Sequence, residues 1–520
     1  MLFRSDNTSD NIASNSQESV DTLTLLYRAD DPINPYSAKS FLNRRLANLM
    51  YDPLVKVDPD FQPEFVLAKG IEISNKQCIV TLKSAVFSDG STVTADDVVY
   101  SLKLALASEL AFKDQLTSVK SYKTDGSDKV IITLTKTDPY FANVLDFPII
   151  KKDSDKLKDE NKIALPPIGS GRYIFDTKEK QLNANTMYIS GVPSVKTIKL
   201  IDAPDDTVVK YNLEVGNVSA YYSDLSDGVI PPMSGSTAPV NLTNLVYLGL
   251  NLENKHLTKA KLRYALSYAV DRLSVCNEAY YAYATPATGV FNAAWDDAGT
   301  LQNLPKPKEL QNVVAILEEI GYNNKDNEGF IVDEKGKNIT FRLVAYKGND
   351  RRLKAAKLIK EQLEAIGFKI NLKELEWDEY TKALADGSFD IYIAETKLSS
   401  NMDVTELLTA DGSLSYGIPT VEKPKTEADK KPDSQTDKET DNSEDKKEPE
   451  FTSHIPLLEE AIKGFYGEQL SLVDIINAFN AEMPIIPICH RQGISVCDSR
   501  LNAETMSSVS DVYFGITDKT

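Results

Sequence analysis

Ala85-Val-Phe-Ser-Asp-Gly-Ser-Thr-Val-Thr-Ala-Asp-Asp-Val-Val-Tyr-Ser-Leu102 reads as a strand, a tight turn, a short strand and a capped helix. Ser88-Asp89-Gly90 supplies the turn chemistry, with Gly90 free to take a positive φ. Thr94 is a good N-cap, and Asp97 stands three residues on, where a carboxylate favours the positive end of a new helix. Val98, Tyr100 and Leu102 begin the apolar pattern behind it.

Working outward, Leu23–Tyr27, Ile79–Leu82, Val130–Leu134, Tyr173–Phe175 and Ile198–Ile201 have strand character. Phe41–Met50 has helical spacing, and Asp205-Asp206-Thr207 opens a helix that stops at Gly216. Leu245–Leu252 reads as a buried strand, and Lys259–Tyr283 as one long amphipathic helical region. Beyond it, helices and strands alternate: Glu309–Ile320, Ile339–Ala345, Arg352–Ile366, Lys369–Leu375, Asp378–Ala385 and Phe389–Ala394. That alternation predicts an α/β body with a sheet covered by helices.

The 520 residues exceed what one ordinary core accommodates, so two or three domains are expected. A net charge of −19 leaves no basic stripe for phosphates, which argues against nucleic acid as a partner. No apolar run is long enough to span a bilayer. Residues 1–21 are polar and read as a flexible tether. Between Val421 and Glu450 stand seven Lys and eleven Asp or Glu, with no aromatic, so this charged insertion is expected to be disordered. The four cysteines form no C-x-x-C motif. Cys78 and Cys276 read as buried small hydrophobes; Cys489 and Cys497 could face each other across a hairpin, although alternation does not fix that pairing.

The opening stretch resembles the "F-x-D-G-x-x-V/L-T-A-x-D-V-x-x-S" signature of the extracellular solute-binding proteins of family 5, the receptors of peptide- and nickel-importing ABC transporters. Leu262-Arg-Tyr-Ala-Leu-Ser-Tyr-Ala-Val-Asp-Arg272 closely resembles that family's "V-R-x-A-I-S-Y-A-I-D-R". Ile168-Gly-Ser-Gly-Arg-Tyr173, Leu213-Glu-Val-Gly-Asn217, Leu248-Gly-Leu-Asn251, Leu317-Glu-Glu-Ile-Gly-Tyr322 and Pro484-Ile-Ile-Pro487 are similar to further family segments, in the family's order. Departures fall at Arg172, Ser219 and Val404, where Pro, Asp and Pro are usual.

The resemblance implies a two-lobed periplasmic-binding-protein type II fold with an appended small subdomain. Lobe 1 would comprise 22–50, 165–250 and 481–520, with 51–164 as its subdomain. Lobe 2 would comprise 251–480, containing the 421–450 insertion, and crossings near Leu250 and Ala481 would form a hinge. The implied function is capture of a peptide or similar small solute for an ABC permease, by a monomer tethered outside the bacterial cell membrane through a removed lipid or membrane segment, or held in the periplasm. A non-transport envelope scaffold or signalling-peptide receptor and a nickel-chelate receptor are the alternatives.

No G-x-S-x-G, P-loop, G-x-G-x-x-G or H-E-x-x-H motif occurs, so neither enzyme activity nor a cofactor is expected. The three histidines, His256, His454 and His490, have no metal-ligand spacing. Asp271-Arg272 reads as a helix-end device rather than a site. Asp403 follows a buried strand and stands near the place where peptide-binding members of the resembled family hold the ligand's α-amine; the competing reading is a helix N-cap. Trp295, in a polar loop, with Tyr247 and Asn251, completes the expected ligand-binding set, while Trp377 reads as packing.

Overall fold

The computed structural model describes residues 22–110, 112–304, 310–422, 451–501, 507–508, 510–513 and 515. The expected tether 1–21 and most of the charged insertion, 423–450, lie outside the described residues.

The opening stretch folds as its chemistry dictates. Gly90 sits at φ +82, Val86 bridges Thr92 across the turn, and the helix Ala95–Ala107 follows. Asp97 Oδ2 accepts from the Thr94 backbone N–H at 2.9 Å, closing the helix start. This helix lies against a four-stranded antiparallel sheet ordered Ala68–Ser74, Gln77–Leu82, Lys129–Leu134, Val119–Thr124. In Gln77–Leu82 every second residue is buried, so Cys78, Val80 and Leu82 meet Val98 and Leu102 in one core.

A second four-stranded sheet is ordered Thr22–Tyr27, Thr197–Asp202, Gln181–Ala184, Tyr173–Asp176, with its first pair parallel. The helix Phe41–Met50 packs Leu46 and Leu49 onto Leu23, Leu25 and Ile198. Arg172 is buried here and bonds Asp511 at 2.9 Å. Where a proline would fix φ, this chain ties its C-terminal segment to the sheet instead.

The seven-stranded sheet is ordered Ala220–Ser223, Ile485–Cys497, Ser236–Leu250, Ile391–Lys397, Thr340–Tyr346, Lys369–Leu375, with Ala284–Pro286 also on Ile485–Cys497. Its two long central strands run antiparallel from Ser236↔Cys497 to Gly249↔Ile485. Register shifts fall between Asn241 and Leu245 and between Val246 and Tyr247. These irregularities add local twist near the strand middles.

Three expectations are corrected. Lys259–Tyr283 is two helices, Ala260–Ala269 and Arg272–Ala279, not one. Asp271 caps the second by accepting from Ser274 N–H at 3.1 Å. Buried Arg272 donates to the Pro487 and Ser267 carbonyls, so the Asp-Arg pair does serve helix ends. Cys489 and Cys497 lie on one continuous strand, not across a hairpin, and all four cysteines are buried. The expected disorder does not begin at Val421: Val421 and Glu422 pair with Thr452 and Phe451 in a two-stranded ladder.

Candidate ligand-binding site

Thr340–Tyr346 is parallel to both Lys369–Leu375 and Ile391–Lys397. Ligands of open α/β sheets sit outside the carboxyl ends of such strands. Three segments leave that edge here. One enters the helix Asp350–Ala365 at Arg351 and Arg352, one enters the helix Trp377–Ala385, and one is the loop carrying Asp403.

Asp403 has its partners inside the protein. Lys136 Nζ donates to its Oδ2 at 2.5 Å and to Thr405 Oγ1 at 2.9 Å. The other oxygen accepts from Thr405 N–H at 2.9 Å and from Thr405 Oγ1 at 2.6 Å, an Asx turn one residue ahead of the helix Thr405–Leu408, whose N-cap position is Val404. Burial works to raise the Asp403 pKa, but the Lys136 charge, its hydrogen bond and the Thr405 donors hold it below the ordinary carboxylate value. Lys136 Nζ also stands 3.6 Å from the Tyr466 ring centroid.

The segment following Lys136 grips the same loop. Asn401 Nδ2 donates to Asp138 Oδ2 at 2.6 Å, and Asn143 Nδ2 donates to the Ser400 carbonyl at 3.2 Å. Asp138 is 1% exposed, and burial pushes its carboxyl up to about 6. Trp295 joins this cluster. It is 1% exposed, with Tyr140 edge-on at 4.7 Å and Phe291 at 5.4 Å.

The other two expected residues lie elsewhere. Tyr247 is buried mid-strand, its ring edge-on to Tyr392 at 5.9 Å, and burial pushes its hydroxyl up to about 12. Asn251 donates to the Phe389 carbonyl at 3.0 Å and borders a separate pocket of about 230 Å³ beside Arg342 and Asp390. Because Leu250 pairs with Ile391 while Asn244 pairs with Lys397, Asn251 and Asp403 stand at opposite ends of the sheet. Trp377 is 53% exposed at the carboxyl edge, with Tyr346 edge-on at 5.2 Å.

Sequence reasoning missed the arginines. Arg351 is 8% exposed, and its Nη2 donates to the Gly228 carbonyl at 3.0 Å. Among the described residues its Nε and Nη1 have no hydrogen-bond partner, nor has the Arg352 Nε or the Tyr280 hydroxyl. Burial and the neighbouring Arg491 charge push the Arg351 pKa below its ordinary value. Arg491 itself is matched: its Nε meets Glu395 Oε1 at 2.7 Å and its Nη1 meets the Asp224 carbonyl at 2.8 Å. The available signal was Asn349-Asp-Arg-Arg352, two cations in the first turn of a helix whose dipole disfavours them. The loop that receives Arg351 also borders a cavity of about 1180 Å³ lined by Ser40, Arg45, Lys210, Tyr221, Asp224 and Asp227.

Among the described residues no three His, Cys, Asp or Glu side chains cluster as a metal site. No described helix is long and apolar enough to cross a membrane. The arrangement offers hydrogen-bond donors and charge at a sheet edge between packed bodies, the equipment of a protein that holds a solute.

The fold is that of the two-lobed type II periplasmic binding proteins. The nickel ABC transporter structure from Bacillus halodurans superposes with a TM-score of 0.71 at 17% identity, covering 95% of this chain and 98% of that one. The chain belongs to the bacterial extracellular solute-binding proteins, family 5, whose middle region matches residues 61–413. It is thus a solute-binding protein of the ABC-importer class, which points to binding rather than catalysis. The oligopeptide-binding protein AppA of Bacillus subtilis is 26% identical over 415 residues, 74% of this chain and 75% of AppA. The glutathione-binding protein GsiB of Salmonella paratyphi A is 26% identical over 307 residues, 56% of this chain and 59% of GsiB.

Proposed function

We propose that this chain captures a short peptide, or a small solute resembling one, between its lobes and delivers it to an ABC permease. The carrying observation is the buried Arg351 guanidinium, two of whose nitrogens lack an acceptor among the described residues, at the carboxyl edge of parallel strands. A buried cation left incompletely paired is costly, and a ligand carboxylate with bidentate geometry would relieve it. Two relatives are named for oligopeptide and for glutathione, which favours a peptide as the ligand class.

In this reading 22–50, 165–250 and 481–520 form lobe 1, 51–164 its subdomain, and 251–480 lobe 2. The chain crosses between the lobes near Leu250 and Ala481, at the ends of the strands Ser236–Leu250 and Ile485–Cys497, and closure bends it there. The protein works as a monomer on the outer side of the membrane, held by a lipid or membrane anchor preceding the polar tether.

Native mass spectrometry of the purified chain, followed by small-angle scattering with the identified ligand, tests this. Copurified short peptides and a more compact particle on binding are expected. An unliganded protein indifferent to every added peptide overturns the reading.

A further inference from the structure

Arg351 and Arg352 stand in the first turn of the helix Asp350–Ala365, where Asn349 Oδ1 accepts from the Arg352 N–H at 2.9 Å. Nearby, Arg491 has Glu395 at 2.7 Å as its counter-ion. Arg351 and Arg352 have no carboxylate of their own among the described residues, and buried nitrogens of both lack any partner there.

Arg351 is held in place without being satisfied. Its guanidinium lies 5.7 Å from the Tyr281 ring centroid, and its Nη2 donates to the Gly228 carbonyl at 3.0 Å. In the lobe division above, Gly228 belongs to lobe 1 and Arg351 to lobe 2, so this bond spans the cleft. Asp227 and Val229, on either side of Gly228, line the cavity of about 1180 Å³. Tyr280 joins the group: it is 1% exposed, and its hydroxyl has no partner among the described residues. That hydroxyl senses the charges of Arg352 and Arg491, and it acts in turn on Arg351.

Which nitrogens are unserved decides what would serve them. A guanidinium is planar, and its stem enters between Nε and Nη1. One carboxylate can therefore span Nε and Nη2, or Nη1 and Nη2, but not Nε and Nη1. The unserved pair on Arg351 is Nε and Nη1, so completing it takes two acceptor groups. Charge gives the same count. A single carboxylate offsets one of the two arginines and leaves the other uncompensated in a largely dry place.

We propose that Arg351 and Arg352 together receive a ligand end bearing two carboxylates, so that the captured solutes are short peptides whose last residue is Asp or Glu. The α-carboxylate and the side-chain carboxylate take the two edges of Arg351, with Arg352 and the Tyr280 hydroxyl as further donors. This rests on the peptide-capture reading above and narrows its ligand class.

The test compares, by calorimetry against the full chain, two sets of short peptides that differ only in a last residue of Glu or Gln. The wild type is expected to bind the Glu set at least about tenfold more tightly. The net charge of −19 works against that order, so the field of the whole molecule does not produce it. Amidating the C-terminus of the Glu set leaves one carboxylate again and should bring its affinity down toward that of the Gln set. Arg352→Met is expected to lower the ratio between the two sets. Equal or tighter binding of the Gln set by the wild type overturns the proposal and leaves the peptide reading intact. A Glu preference that survives amidation in full also overturns it, since the two carboxylates are then not read together. So does an Arg352→Met variant that weakens both sets by one factor, which is what a merely structural arginine produces. If neither set binds folded wild type, the peptide reading fails and takes this inference with it. Should the variant not fold, the Glu, Gln and amide comparison in the wild type decides alone.

Discussion

Arg172 and Asp511 form an ion pair 2.9 Å long, with side chains 2% and 1% exposed. Lys56 meets the same carboxylate oxygen at 2.9 Å, so one aspartate near the C-terminus fastens two separate segments. Burial alone would raise the Asp511 pKa, but Lys56 and Arg172 hold it below the usual carboxylate range. Removing Arg172 leaves the buried Asp511 carboxylate with Lys56 alone and also breaks the Arg172 bond to the Tyr513 carbonyl. Arg172→Met should cost about 3–5 kcal/mol in urea unfolding. A loss under about 1 kcal/mol would show the cluster to be dispensable.

The depressed Asp511 pKa also sets a sign with pH. Its contribution is complete above the unfolded aspartate value and is lost as pH falls through the lower folded value. Asp138 has the opposite sign. Its folded pKa of about 6 means the folded state keeps the proton more tightly, so the associated stability is present in acid and lost as pH rises from about 4 to 6. Asp138→Asn should flatten urea midpoints across that window. Asp146, also pushed up to about 6 by burial, contributes to the same slope, as do Asp52 and Glu482, whose carboxyls burial raises. An unaltered slope in Asp138→Asn would assign it elsewhere.

Arg351→Ala should weaken ligand binding by about 2–5 kcal/mol through loss of a charge-assisted contact. Thermal stability should change by less than about 1 kcal/mol, because among the described residues the guanidinium head makes one hydrogen bond, to Gly228. Calorimetry with a ligand identified by mass spectrometry would separate the two effects. Affinity indistinguishable from wild type would take Arg351 out of the cleft.

Cys78, Cys276, Cys489 and Cys497 are buried as thiols. Alkylation should label all of them after denaturation and almost none before, and a reductant should leave the melting temperature unchanged. A native mass lower by one hydrogen pair, or a melting point sensitive to reductant, would reveal a bridge.

Much of the fold was readable because it rests on local rules. Phe41–Met50 is a helix from its predicted first residue to its last, set by apolar spacing and the Ser40 cap. Lys369–Leu375 is likewise the strand its alternation described. The errors came from the points where one residue overrides a pattern. Asp271 interrupts a continuous amphipathic run because its side chain can cap a new helix start. The strand Ile485–Cys497 runs straight through Gly493, between the two cysteines that a hairpin would have brought together, and a Cβ there would crowd Tyr222 and Ser223.

The site was harder to read, since its pairings are distant in sequence. Nothing near Asp403 announces that Lys136 holds it, and nothing near Trp295 announces the Tyr140 ring that covers it. Asn251 looked like a cleft residue by position, but its side chain is spent on turn carbonyls at the far end of the sheet. Arg351 was legible in principle, as a cation where a helix start disfavours one.

The ladder of Thr420–Glu422 with Phe451–Ser453 places Glu422 directly opposite Phe451. Facing residues of an antiparallel pair have Cα atoms about 5 Å apart, so Glu422 and Phe451, which flank 423–450, stand side by side. The described fold thus closes at this ladder, whatever sequence joins its two strands. A two-residue Asn-Gly turn should replace residues 423–450 at a cost below about 1 kcal/mol. A compact domain with adjacent termini should also graft there, giving the receptor a socket through which a reporter or a surface-displayed cargo can be carried without redesigning either lobe.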